Sequence, residues 1–299
     1  MITNELKTAE GWRDYVLLDA GGGEKLEIWG GIKVIRPDPQ AFWPRSGSID
    51  WTNPHMHYHR SKSGGGHWQV SGSDVPEAWK INYKGLRFHV RPTGFKHMGL
   101  FPEQAVNWQW LQEKIRSHIE RSPREFAVLN LFAYTGGATV ACLKAGANVT
   151  HIDAAKGMNR QAKDNISLSG LDSAKHRVMA DDVLKFVLRE GRRGNRYHGI
   201  IMDPPVFGRG PSGEMWKLED RLCELVDACT KILDPDASFM LINAYTAGFS
   251  PIVFGNILKL AMEKTNPSGK ISVGEVGLAA KSGVLLPCGM YARWEAASE

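Results

Sequence analysis

The sequence predicts an α/β protein, with a doubly wound, mostly parallel seven-stranded sheet preceded by a smaller N-terminal β-rich module. Three observations predict it. The 299-residue chain is 42% hydrophobic and 23% charged, values typical of globular domains. Its first third is rich in Gly, Trp, His and Pro and carries short alternating runs. From Phe126 onward, short apolar runs alternate with longer amphipathic segments, the pattern of a parallel sheet with crossover helices. The length accommodates one large domain or two of ordinary size.

Taken in order, Leu26 to Ile35 alternates as a strand region does. Ser46 to Gly72 is dense in His, Ser and Gly without a periodic apolar pattern and is expected to be a long surface loop. Trp79 to Val90 is expected to be a β-hairpin turning at Lys84-Gly85. Val106, Trp108, Leu111, Ile115 and Ile119 recur at helical spacing with Pro123 just beyond, which predicts an amphipathic linking helix. The candidate strands of the main sheet are Phe126 to Phe132, Ala147 to Ile152, His176 to Met179, Gly199 to Met202, Ala237 to Ile242, Ile271 to Val276 and Cys288 to Trp294. The last is expected to be antiparallel.

No apolar stretch approaches the roughly 18 residues that cross a bilayer, and MITNELKTAE has no signal-peptide pattern. Cys142, Cys223, Cys229 and Cys288 match neither a disulfide framework nor a zinc spacing, so reduced thiols in a cytoplasmic protein are expected. A formal charge of +5 permits an acidic partner such as RNA. A homo-oligomer is compatible with the composition.

In open α/β sheets, ligands bind beyond the carboxyl ends of the strands. After the first main-sheet strand comes Phe132-Ala133-Tyr134-Thr135-Gly136-Gly137. Its paired glycines allow a tight turn, and the following helix presents N–H groups to an anion. The segment lacks the full GxGxxG, and a plain turn is the alternative. The second strand ends at Asp153, where a carboxylate can accept both hydroxyls of a ribose or simply cap a helix. Asp182 and Val183 follow the third strand, placed either for an adenine ring or for capping. The fourth ends in Asp203-Pro204-Pro205-Val206-Phe207-Gly208. Two prolines stop the ladder and hold two acceptors, the Asp203 carboxylate and the Pro204 carbonyl, at the strand end. Such a pair suits a planar nitrogen, and Phe207 offers a stacking face.

These residues resemble the Rossmann-like class I S-adenosylmethionine-dependent methyltransferases, and most closely the bacterial group that methylates a cytosine carbon or a guanine nitrogen of 23S ribosomal RNA. The likeness runs from about Trp79 to the end through "FKHMGLFPEQAVNWQWL", "LNLFAYTGGATV" and "MDPPVFG". It divides the chain into a module at 1–95 and a methyltransferase domain at 96–299. It implies S-adenosyl-L-methionine as cofactor, with Phe132, Tyr134, Thr135, Gly136 and Gly137 around its methionine part, Asp153 at the ribose, and Asp182 with Val183 at the adenine. His97, Gly99, Phe101 and Gln104 would close over it. Met98 stands where the family usually has Thr, Glu103 where it has Asp, and Asn130 replaces the acidic residue of the wider superfamily.

Methylation at carbon 5 of cytosine requires a thiolate that adds to the ring. The family carries that Cys where this chain has Asn243-Ala244-Tyr245 or Val206. Nitrogen methylation of ribosomal RNA is therefore expected, with Asp203, Pro204, Pro205, Phe207 and Asn243 as the catalytic set. Cytosine carbon-5 chemistry, a protein or small-molecule substrate, an NAD-dependent oxidoreductase and a non-catalytic cofactor-binding module are the rivals. Arg189, Arg192, Arg193 and Arg196 read as a solvated basic loop at the amino edge of the sheet. His55, His57, His59 and His67 suggest a nucleic-acid surface with Arg60, Lys62, Trp51 and Trp68 rather than a metal site.

Overall fold

The computed structural model describes residues 2–61, 65–71, 74–122, 124–246, 248–265 and 268–297; Lys62 and Pro123 lie outside them. The chain opens with β1 (Ile2–Thr8), β2 (Tyr15–Gly21), β3 (Glu24–Trp29), β4 (Ile32–Pro37), β5 (Met56–Arg60), β6 (Gly66–Val70), β7 (Trp79–Tyr83) and β8 (Leu86–Val90). A single 3-10 turn, Pro102–Gln104, leads into α1 (Ala105–Arg121). Then come β9 (Ala127–Leu131), α2 (Gly137–Lys144), β10 (Asn148–Asp153), α3 (Lys156–Leu168), β11 (His176–Ala180) and α4 (Val183–Arg192). They are followed by β12 (Gly199–Met202), β13 (Phe207–Arg209), β14 (Met215–Lys217), α5 (Leu218–Thr230), β15 (Phe239–Ala244), α6 (Pro251–Thr265), β16 (Lys270–Ala279) and β17 (Leu285–Glu295).

The chain forms two compact units, one of Met1–Lys7, Asn107–Val276 and Gly289–Glu299, the other of Thr8–Val106 and Gly277–Cys288. The larger unit is built on a sheet of order β1-β16-β17-β15-β12-β9-β10-β11. Strands β15, β12, β9, β10 and β11 are parallel neighbours, and β17 runs antiparallel to β15 as expected. The expected seven strands are present, and β1 adds an eighth at the edge. Gly274 shows why it fits there: a Cβ at that position would lie 1.7 Å from the Glu5 carbonyl oxygen, so the close approach requires glycine. The core is aliphatic, with Leu129, Leu131, Ile152, Ile200, Met202 and Ile242 in contact with Leu222, Leu225 and Val226 of α5 and with Leu184 and Val187 of α4.

The smaller unit carries a sheet of order β2-β3-β4-β5-β6 and the β7–β8 hairpin. The hairpin turns at Lys84 and Gly85, both at positive φ (47° and 84°), as a two-residue turn matched to strand twist requires. The expected loop from Ser46 to Gly72 is corrected. Residues within it form β5 and β6, because Met56 and Tyr58 face the core while His57 and His59 alternate outward. Beneath this sheet lies a buried charge cluster. Arg36 donates from Nε and Nη2 to both oxygens of Glu27 (2.6 and 2.7 Å), and the Tyr15 hydroxyl donates to Glu27 at 2.9 Å. Burial alone would raise the Glu27 carboxyl, yet the charges of Arg36 and Lys25 outweigh it and hold the group below its ordinary value.

Breaking such a pair leaves one buried charge without its counterion, whereas an apolar pair of similar volume is tolerated. Glu27→Ala is expected to destabilise the protein by about 3–5 kcal/mol. Glu27→Leu combined with Arg36→Met is expected to recover most of the loss, both read by urea unfolding.

Candidate active site

The carboxyl ends of β9, β10, β12 and β15 are brought level by register, since Leu131 pairs with Ile152 and Met202, and Met202 with Ile242. The residues just beyond each strand therefore gather at one edge of the larger unit. After β9 the chain makes a strained loop, with Phe132 at φ 53° and Tyr134 at φ 51°. Non-glycine residues in this region cost about 1–3 kcal/mol each and persist where surroundings over-determine them. Here the Tyr134 amide donates to Asp153 Oδ2 at 2.8 Å, the Ala133 amide to the Ile152 carbonyl, and Asn165 Nδ2 to the Thr135 carbonyl at 2.8 Å.

Gly136 then caps α2 at φ 83° and offers no side-chain cap to the first turn. Gly137 lets Trp108 approach, since a Cβ there would lie 2.8 Å from its ring. Below the loop lies a buried neutral network, in which Asn130 Nδ2 donates to Thr139 Oγ1 (2.9 Å), which pairs with His151 Nδ1 (2.9 Å). Burial lowers the His151 imidazole to about 3, so it stays uncharged at neutral pH.

Asp153 ends β10. Its second oxygen accepts the Ala155 amide at 2.8 Å. Burial raises this carboxyl above 3.8 against the lowering by the two amides. A carboxylate has about four acceptor sites, and these two amides use two, so the donor demand of a ribose diol fits what is left. Asp182 takes the capping role, accepting the Lys185 amide at 2.9 Å, and Val183 is buried as the first residue of α4.

The prolines end β12. Pro204 is buried, and among the described residues its carbonyl has no hydrogen-bond partner, while the Pro205 carbonyl accepts Trp216 Nε1 at 2.7 Å. Phe207 opens the β13–β14 hairpin and is 55% exposed. Asn243 is placed differently from the other expected catalytic residues. It is buried in β15, where its Oδ1 accepts Asn107 Nδ2 (2.8 Å), and Asn107 Oδ1 accepts Arg293 Nη2 (2.5 Å). Arg293 lies over the rings of Trp110 and Tyr291 (4.4 and 4.5 Å), and burial lowers it to about 10.

No cysteine occurs in the sequence of the proline turn or directly after β15, where Tyr245 follows Ala244. Cys142 is buried in α2 and Cys229 in α5, where burial pushes both thiols up, and Cys223 is on α5. Cys288 belongs to the smaller unit, and burial raises it too.

His97, Gly99, Phe101 and Gln104 also belong to the smaller unit. There Arg36 Nη1 donates to the Lys96 carbonyl at 3.0 Å, and the His97 ring packs on Phe101 at 5.4 Å. Burial, with Arg36, Lys96 and Lys25, lowers His97 to about 4. Met98 is fully buried, so where the family carries a polar Thr this chain fills core.

A model of S-adenosylmethionine-dependent methyltransferases matches residues 51–250. The chain belongs to this family. Its cofactor is S-adenosylmethionine, and the acceptor at Asp153 and the uncapped first turn of α2 fit that group. The methyltransferase is 35% identical to a SAM-dependent methyltransferase of Agrobacterium tumefaciens of known structure, over 98% of this chain and 95% of that one, with a TM-score of 0.91. It is 30% identical over 161 residues to ribosomal RNA large subunit methyltransferase K/L of Shewanella frigidimarina. It is 40% identical over 139 residues to ribosomal RNA large subunit methyltransferase I of Klebsiella pneumoniae. These matches cover 53% and 46% of this chain but only 21% and 33% of the relatives.

The basic loop and the aromatic and histidine groups are largely engaged within the fold. The expected basic loop is corrected: Arg189 and Arg192 lie in the last turn of α4, where Arg189 pairs with Asp181, and beyond it Arg193 pairs with Glu190 and Arg196 with the Lys231 carbonyl. Trp51 and Trp68 donate to partners within the smaller unit, Asp19 and the Thr93 carbonyl, and Arg45 covers the Trp51 ring at 4.0 Å. His57 pairs with Glu24 and His59 with Gln69; among the described residues no metal-binding cluster forms, and no helix is long and apolar enough to cross a membrane.

Sequence reasoning missed Thr139, His151, Asn165 and Trp216. A buried Trp216 beside the prolines is foreshadowed only by a lone aromatic in the polar stretch 208–217. Its ring packs on Phe132 at 4.7 Å, joining the proline turn to the strained loop. Trp216→Phe, which keeps a ring but loses the bond to Pro205, is expected to cost about 1 kcal/mol of stability. Trp216→Ala is expected to cost about 3–5 kcal/mol, both measured by chemical denaturation.

Proposed function

We propose that this methyltransferase methylates a base nitrogen in RNA, with large-subunit ribosomal RNA as the substrate and the cytoplasm as its place of action. The observation that carries the reading is the proline turn: two acceptors, Asp203 and Pro204, followed by exposed Phe207, with no cysteine in the turn. The rRNA methyltransferase relatives and the +5 charge support RNA as the substrate class.

Phe132, Tyr134, Thr135, Gly136 and Gly137 would hold the methionine part of the cofactor, Asp153 the ribose, and Asp182 with Val183 the adenine. When bound, S-adenosylmethionine supplies a methyl group on a sulfonium, a good leaving group. The chain's own task is alignment. Asp203 and the Pro204 carbonyl accept hydrogen bonds from the target nitrogen and aim its lone pair at the methyl carbon. Phe207 stacks on the base, and the Asp203 carboxylate takes up the proton that the nitrogen releases. Pro205 keeps the turn rigid. Asn243 acts from beneath, holding the end of β15 through Asn107.

Three measurements test this. Nucleoside mass spectrometry of ribosomal RNA from a deletion strain should show loss of a nitrogen-methylated base, and loss of 5-methylcytosine instead would sink the assignment. Asp203→Ala should lower kcat by about 10²-fold or more, whereas replacing Cys142, Cys223, Cys229 and Cys288 with Ser should leave transfer intact. For the cofactor, Asp153→Ala should weaken S-adenosylmethionine binding by roughly 10- to 100-fold, the worth of hydrogen bonds to a charged group. Because burial raises Asp153 above 3.8, its carboxylate is lost early as pH falls. Calorimetry should therefore show affinity declining on the acid side at a higher pH than an ordinary aspartate implies, and Asp153→Asn should remove that pH dependence.

A further inference from the structure

The β13–β14 hairpin has a face that neither the fold nor the cofactor accounts for. Its register pairs Phe207 with Lys217, Gly208 with Trp216 and Arg209 with Met215. Paired and alternate residues share a face, so Phe207, Arg209, Met215 and Lys217 lie together and Trp216 lies opposite. The Trp216 face is anchored, 6% exposed, against Phe132 and the Pro205 carbonyl.

The other face stands in solvent, with Phe207 55% and Met215 60% exposed. Contiguous exposed apolar groups of this kind mark interaction sites. The hairpin is also held firm. Glu214 accepts the Ser212 amide through its side chain and the Gly210 amide through its carbonyl, and it pairs with Lys185 at 2.5 Å. Leu218 N donates to the Val206 carbonyl at 3.0 Å.

The charges on the face point to one kind of occupant. Arg209 is exposed and makes no ion pair among the described residues, whereas Lys217 is engaged by Glu219 (3.2 Å) and Asp220 (3.4 Å). A cation free for a phosphate, flanked by an aromatic ring and a polarizable thioether, is the combination that grips single-stranded nucleic acid. Phe207 stands two residues after Pro205, so a strand whose base meets Asp203 and Pro204 continues onto this face.

We propose that the β13–β14 hairpin is the docking surface for the single-stranded RNA that flanks the target base, with Met215 contacting a flanking base and Arg209 a phosphate, beyond Phe207 on the target base itself. This rests on the RNA reading above. The test uses the full chain, large-subunit ribosomal RNA from a deletion strain as probe, and labelled methyl transfer over a range of salt. In the double variant Arg209→Gln, Met215→Ser, KM for RNA should rise about 10-fold, and the slope of log KM against log salt should fall by about 0.7, the contribution of one phosphate contact on a single strand. S-adenosylmethionine affinity is the folding control, and Arg209→Lys should restore the salt slope. Wild-type transfer to RNA with KM and slope unchanged in the double variant overturns the hairpin assignment alone. No transfer to any RNA by the wild type overturns the RNA reading itself, and impaired transfer to a protein substrate in the variant would make the occupant a peptide.

Discussion

Phe132 and Tyr134 hold backbone angles that L side chains disfavour, and the loop after β9 keeps them only because neighbouring elements pull on it from two sides. From one side, Asp153 accepts the Tyr134 amide, and Asn165 reaches the Thr135 carbonyl from α3. From the other, Trp216 packs on the Phe132 ring. The parallel register is what makes this possible: Ile152 and Met202 are both level with Leu131, so the strand ends that flank β9 arrive at the height of its loop. Relieving either side would let the loop relax toward ordinary dihedrals and swing its glycines away from the edge where Asp203 sits.

The same loop ties cofactor and substrate elements together. Trp216 donates to the carbonyl of Pro205 while its ring contacts Phe132. One side chain thus links the proline turn, proposed above to orient an acceptor nitrogen, to the loop proposed to hold the methionine end of the cofactor. Transfer by in-line displacement is sensitive to the spacing of the two, because misplacement by about 1 Å can cost 10²-fold in rate. A buried tryptophan on a short hairpin is a stiff spacer for the purpose, having a large contact area and few rotatable bonds.

Much of this architecture is legible in the sequence because the main strands are short apolar runs with their functional residues directly after them. Gly199 to Met202 and Asp203-Pro204-Pro205 read from sequence as they stand in the structure. The hidden parts depend on distant partners. The segment ITNELKT has no apolar run, and its place at the sheet edge is decided by Gly274, far along the chain. The strands β5 and β6 resemble a loop in sequence because histidines fill their outward positions; the alternation of Met56 and Tyr58 with His57 and His59 is the available signal. Asn243 stands near a strand end in sequence, and its bond to Asn107, which in turn accepts Arg293, depends on elements remote in sequence.

The polar groups beneath the loop also share a charge state. Asn130, Thr139, His151 and Asn165 are all buried, and none carries charge, since burial keeps the His151 imidazole neutral. An aspartate at Asn130 would favour protonation of His151 and create a buried ion pair, whose desolvation cost offsets its attraction. A protonated His151 alone would set a positive charge under the loop proposed to receive the cationic sulfonium, and in a low-dielectric interior that repulsion is poorly screened. The neutral network avoids both costs while Asn130, Thr139 and the Nδ1 side of His151 tie α2 to β9 and β10. Asp153, bonded to the Tyr134 amide, then adds a negative charge beside the loop, where hydroxyl donors are expected. This distribution explains why asparagine stands at position 130 in a chain whose cofactor brings its own positive charge.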